Sequence, residues 1–169
     1  LEVAEHLPMF RAVVAGAPGL DKEHYQLAVD RGVEIRFGAT RKLMRSAAIG
    51  LVTSGTATLE AALLDLPQII CYQTSGLTYR IAKVVAQTSW IGLPNILLRQ
   101  NVVPERIQHS CNSEQLITDI QQMHDGNNLL PAGIEQLEGV ESLKRQLQGP
   151  GTPSQLVAQA ILNQSPCSS

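Results

Sequence analysis

Thr53-Ser54-Gly55-Thr56-Ala57-Thr58-Leu59-Glu60-Ala61-Ala62 follows the short apolar run Ala47-Ala48-Ile49-Gly50-Leu51-Val52. Leu59, Leu63 and Leu64 recur beyond it at helical spacing, so the region reads as strand, tight loop and helix. A helix that starts directly off a strand presents free N–H groups and the positive end of its dipole, which suits a phosphate. Glu60 lies one turn beyond Thr56, about 6 Å along the axis, where its carboxylate can accept from the two hydroxyls of a ribose. The same residues also serve ordinary structure, because Ser and Thr cap helices and Gly relaxes the turn. Taken alone, the stretch leaves a nucleotide loop and a plain helix cap both open.

The surrounding segments set the fold class. Upstream, Ala12-Val13-Val14-Ala15 is a continuous apolar run bounded by Gly16 and Pro18, the signature of a buried parallel strand. Residues 21 to 29 predict a polar helix with Tyr25 and Ala28 or Val29 turned inward, and 33 to 37 alternate as a half-covered strand. Thr40 is placed to cap a short helix holding Leu43 and Met44. Downstream, Pro67 breaks the central helix and Gln68-Ile69-Ile70-Cys71-Tyr72 reads as a further buried strand. A helix from Leu77 and a short strand at Trp90-Ile91-Gly92-Leu93 follow, the latter stopped by Pro94-Asn95. Strands alternating with helices predict an α/β fold, a Rossmann-like open, mostly parallel sheet with helices on both faces.

The remainder reads as helical. Pro104 suits a first helical position before Glu105, Arg106 and Ile107. Asn112 and Gln115 resemble a capping box ahead of Leu116, Ile117, Ile120 and Met123, with Gly126 as the stop. A weaker helix carries Ile134, Leu137, Leu143 and Leu147, loosened by Gly133 and Gly139. Gly149-Pro150-Gly151 is the linker signal, and Thr152-Pro153-Ser154-Gln155 opens a C-terminal helix. The expected organisation is one Rossmann-like nucleotide-binding domain over 1–148, then a linker and helix over 149–169.

The 169 residues carry a formal charge of -2 without long runs, which argues against a nucleic-acid surface built on a basic stripe. Cys71, Cys111 and Cys167 are odd in number and lack metal-type pairing, so neither a disulfide framework nor a zinc site is expected. The four histidines are scattered, and no metal or cofactor is expected from them. The chain begins Leu1-Glu2-Val3-Ala4, without methionine, basic leader or long apolar stretch, and reads as starting inside a longer protein.

Ligands of an open parallel sheet sit at the carboxyl ends of the strands. The loops expected there are Gly38-Ala39-Thr40, Ser54-Gly55-Thr56 and Tyr72 to Gly76, with Pro94-Asn95 after the last strand. No Gly-x-Gly-x-x-Gly follows a strand and no Gly-Lys-Ser/Thr follows Gly55, which counts against dinucleotide dehydrogenases and P-loop NTPases. A nucleophile elbow at Ser54 lacks the glycine two positions before it. Arg80 and Lys83, near Tyr79 and Trp90, fit either an anionic membrane surface or an ordinary solvated helix.

One ordered set of residues is more specific than any single motif. Ser54-Gly55-Thr56-Ala57-Thr58-Leu59-Glu60-Ala61-Ala62, Pro67, Tyr72, Leu77-Thr78-Tyr79, Ala82-Lys83, Leu93-Pro94-Asn95, Val103-Pro104-Glu105 and Gln108 together resemble the lipid-A-disaccharide synthase family. The resemblance runs nearly unbroken from about Val33 to Gln108. It implies a bacterial GT-B glycosyltransferase of lipid A biosynthesis whose donor-nucleotide half is this chain. Such an enzyme transfers diacylglucosamine from UDP-diacylglucosamine to a lipid monosaccharide phosphate, releasing UDP, without a metal or other cofactor. The same resemblance implies that Ser54, Gly55 and Thr56 hold the diphosphate and that Glu60 takes the ribose. Tyr72 and Asn95, with Glu105 and Gln108 behind, then shape the donor side of the cleft.

The family's Gly-Ser-Arg loop and its amino-terminal acceptor domain, expected to bring the catalytic base, fall outside the chain. The implied location is cytoplasmic, with a peripheral seat on the inner face of the inner membrane as the further expectation. The tail after Gly151 either returns to the missing domain or crosses to a second subunit in a homodimer. Two other readings remain at this point: another GT-B UDP-sugar enzyme, such as an epimerase or a peptidoglycan-type glucosaminyltransferase, or a non-catalytic nucleotide-binding or assembly module.

Overall fold

The computed structural model describes residues 2–53, 55–73 and 90–148. The expected helix from Leu77, the membrane-facing reading of Tyr79, Arg80 and Lys83, the C-terminal helix and Ser54 itself lie outside the described residues. Within them the order is α1 (Glu2–His6), β1 (Val13–Gly16), a 3-10 turn (Lys22–Tyr25), α2 (Gln26–Val29), β2 (Glu34–Phe37), α3 (Thr40–Ser46) and β3 (Gly50–Val52). It continues through α4 (Gly55–Leu63), β4 (Gln68–Tyr72), α5 (Leu93–Leu98), β5 (Glu105–Ile107), α6 (Ser113–Met123) and α7 (Pro131–Leu147).

Among the described residues the strand pairs are all parallel and form two sheets, β1-β2 and β3-β4-β5. β4 is the central strand, and its residues from Gln68 to Cys71 are buried. Side chains of a strand alternate between the faces of its sheet, so Ile69 and Cys71 point one way and Ile70 the other. Ile69 and Cys71 pack with Leu7 beside α1 and with Leu116, Ile120 and Met123 of α6. Ile70 packs with Ala62 of α4, Val103, and Val140 and Leu143 of α7. Helices therefore cover both faces, which is why this strand reads as an unbroken apolar run.

Three expectations are corrected. Pro104 to Ile107 do not begin a helix: Glu105–Ile107 are β5, and Pro104 extends that strand by accepting at its carbonyl oxygen from Ile70 N at 2.9 Å. Trp90 to Leu93 do not form a strand: the segment leads into α5, where Pro94 occupies the first turn, a position that needs no N–H. Thr40 is the first helical residue of α3, and Ala39 holds the cap position with no side-chain bond.

α7 is also continuous, and its glycines serve close approach. A Cβ at Gly139 would lie 2.5 Å from Val102 Cγ1, and one at Gly133 would lie 2.7 Å from Met123 O. The helix pays in propensity for bringing its backbone against Val102 and against the end of α6. Asn112 caps α6 by accepting from Gln115 N at 2.9 Å, but the Gln115 amide turns forward to Asp119 at 3.3 Å, so only half of the expected capping box forms. Arg106 of β5 ties the same helix down, donating from Nε and Nη2 to the two carboxylate oxygens of Asp119, both at 2.6 Å.

Candidate functional site

Because β3, β4 and β5 are parallel, Val52, Tyr72 and Ile107 end on one edge. α4 begins at Gly55, almost directly off β3. Its first turn lies against the start of α5, where a Cβ at Gly55 would meet Leu93 Cγ at 3.8 Å. Thr58, Ala61 and Ala62 form the buried side of α4, and Thr58 Oγ1 donates back to Gly55 O at 2.5 Å. The opposite side carries Thr56, which is exposed, and Glu60, which is half-buried. Helical spacing thus sets Thr56 and Glu60 on one open face, four residues apart.

Tyr72, half-buried at the end of β4, borders the same edge. Gln108 follows β5 directly, in the left-handed region at φ 54°, and starts a short 3-10 turn. Asn95 and Glu105 come together but are engaged with each other and with backbone. Asn95, fully buried, donates from Nδ2 to Val103 O at 2.7 Å and to Glu105 Oε1 at 2.9 Å. Its Oδ1 accepts from Val102 N at 2.9 Å and Val103 N at 2.8 Å. Glu105 also accepts from Ile91 N at 2.9 Å and Gly92 N at 3.0 Å. An amide with two donors and two acceptor positions is saturated by these bonds. Asn95 and Glu105 therefore tie residues 91–95 and 102–103 together beside this edge.

One ion pair among the described residues at this edge is a feature that sequence reading missed. Arg41, in the first turn of α3, donates from Nε to Glu60 Oε1. Its signal in the sequence was weak: one arginine among three cations of a short helix, nineteen residues before its partner. Among the described residues no group of three or more His, Cys, Asp or Glu side chains is placed to hold a metal ion.

Behind Tyr72, burial, with the neighbouring Cys111 adding to it, pushes the Cys71 thiol up to about 12. A thiol held that far above neutrality stays protonated and poorly nucleophilic. Iodoacetamide at pH 8 is expected to leave Cys71 unmodified in the native chain and to label it fully in urea, read by peptide mass spectrometry. Native labelling as fast as in urea would contradict the packing of β4. The raised value also makes Cys71 a source of stability that is complete below the ordinary thiol range and is lost as pH climbs toward 12.

Residues 21–142 match the family model described as Lipid-A-disaccharide synthetase. Curated relatives named lipid-A-disaccharide synthase include one from Anaeromyxobacter dehalogenans (strain 2CP-C), 31% identical over 96% of this chain and 43% of the relative. Another, from Thiobacillus denitrificans, is 40% identical over 54% of this chain and 25% of the relative. A third, from Sulfurihydrogenibium sp., is 45% identical over 42% of this chain and 18% of the relative. The chain spans less than half the length of the curated relatives it matches.

Proposed function

This chain belongs to the lipid-A-disaccharide synthase family, and on that premise we propose that it is the donor-nucleotide portion of a glycosyltransferase of lipid A biosynthesis. In this reading the whole protein moves diacylglucosamine from UDP-diacylglucosamine onto diacylglucosamine 1-phosphate and releases UDP. The observation that carries the donor assignment is α4: it starts directly off β3 at the carboxyl edge and turns Thr56 and Glu60 to its open face.

The chemistry asked of this portion is binding and leaving-group stabilisation. The N–H groups of Gly55 and Thr56, with Ser54, meet the diphosphate. Fixed dipoles of this kind stabilise charge that grows on a departing diphosphate without reorganising as the bond breaks. Glu60 accepts from the ribose, and Tyr72 and Gln108 border the sugar side, over the support made by Asn95 and Glu105. The domain over 1–148 supplies these groups, and the base and acceptor pocket come from parts of the protein that this chain does not include. A cytoplasmic setting on the inner face of the inner membrane, a homodimer and a contact with anionic lipid belong to the same proposal. Among the described residues no helix is long and apolar enough to cross a membrane.

Titration with UDP, followed by amide NMR, tests the reading. UDP is expected to shift Gly55 and Thr56, with ADP and NAD ineffective at the same concentration. Glu60→Ala is expected to weaken UDP by about 1 to 3 kcal/mol, the range for losing hydrogen bonds to a charged group. Unmoved Gly55 and Thr56 amides at saturating UDP would sink the proposal.

A further inference from the structure

If Glu60 takes the ribose, something must aim it. A glutamate on an open helix face has several rotamers, and a free carboxylate spends little time in any one. Arg41 removes part of that freedom: α3 and α4 each follow a loop after a strand, and Arg41 in the first turn of α3 donates from Nε to Oε1 of Glu60 in the second turn of α4. The Arg41 side chain is 79% exposed and that of Glu60 32%, so the pair adds little to folding. Its geometry has more consequence than its strength. One carboxylate oxygen is occupied, and Oε2 is the oxygen left for an incoming donor. A planar guanidinium fixes such an orientation better than an ammonium, whose hydrogens rotate freely.

We propose that Arg41 is a positioning residue for the nucleotide: it holds Glu60 by Oε1 so that Oε2 meets the vicinal hydroxyls of the ribose. The inference rests on the reading of Glu60 as ribose acceptor. Arg41 itself touches no reacting atom, and its effect passes through Glu60.

Calorimetric titration of the full chain with UDP and with 2′,3′-dideoxy-UDP separates this role from others, because the ratio of the two affinities reports the hydroxyl contact alone. The unmodified chain is expected to prefer UDP by about tenfold, the scale of one hydrogen bond to a charged group. Glu60→Gln should erase most of that preference. Arg41→Gln should narrow it roughly three- to fivefold, the upper end for an exposed ion pair, with Arg41→Lys restoring only part. An Arg41→Gln chain that loses affinity for both nucleotides equally keeps its ratio, and that result overturns the inference, as does an unchanged ratio with unchanged affinities. A Glu60→Gln chain that still prefers UDP removes instead the ribose reading on which the inference stands.

Discussion

Replacing Asn95 with leucine is expected to cost about 4 kcal/mol of folding stability, from several buried groups left unpaired at roughly 1 to 3 kcal/mol each and only partly relaxed. Leucine keeps the branched heavy-atom skeleton but is bulkier, so the loss combines the missing bonds of the amide with some overpacking of a fully buried site. Val102 N, Val103 N and Val103 O lose their partner, and Glu105 loses one of its N–H donors. Val103 and Asn95 are fully buried, which leaves little room for water to take over. Urea unfolding measures the change. UDP affinity, taken well below the denaturation midpoint, should fall as well, because the Ile91–Gly92 backbone is held to Glu105 through the same cluster. A stability loss below about 1 kcal/mol would mean that the cluster is already solvated. A normal loss with unchanged UDP affinity would separate the scaffold from the site.

The same cluster shows how far the sequence could be read. Periodicity found β4 and α4 because both obey one rule over several residues: the strand is apolar from Ile69 to Cys71 and the helix repeats its leucines. The strand-to-helix turn at Gly55 followed from those two neighbours, and so did the shared face of Thr56 and Glu60. Trp90 to Leu93 and Pro104 to Ile107 depart from expectation because Pro94 and Pro104 are locally ambiguous. Each suits either a helix start or the entry to an extended segment, and the choice is made by tertiary bonds, Asn95 to Val102 and Val103 on one side and Ile70 to Pro104 on the other. Asn95 reads in sequence as a polar residue beside a ligand, because burial of an amide cannot be seen without its partners. Gly133 and Gly139 looked like weak points for the same reason: the side chains that need their bare backbone, Leu129 and Val102, come from other segments. The Arg41–Glu60 pair joins two helices across nineteen residues of sequence, and its signal is as weak as one of three cations on a short helix.

A second large effect is expected at Gln136, where a side chain completes the sheet. In the ladder between β4 and β5, Ile70 N donates to Pro104 O, and the next rung toward the amino end would need an N–H from Pro104. Proline has none. Gln136 of α7 takes its place, donating from Nε2 to Gln68 O at 2.9 Å and accepting at Oε1 from Gln68 N at 2.7 Å. Both glutamines are buried, and Gln68 already carries one unpaired atom, its Oε1, while its Nε2 donates to Thr58 O. Gln136→Ala leaves two buried backbone groups without partners and should cost about 3 kcal/mol in urea unfolding.

Gln136→Glu gives the more discriminating result. A protonated carboxyl has one donor and one acceptor and can make both bonds to Gln68, whereas the carboxylate cannot donate and places a charge in the core. Burial raises the folded-state pKa of that carboxyl above its unfolded value of about 4.3. The variant's deficit against the unmodified chain should therefore be small below that value and grow as pH rises through the folded-state pKa. A deficit that stays flat between pH 4 and 7 would mean that Gln136 fills space and that its bonds to Gln68 contribute nothing.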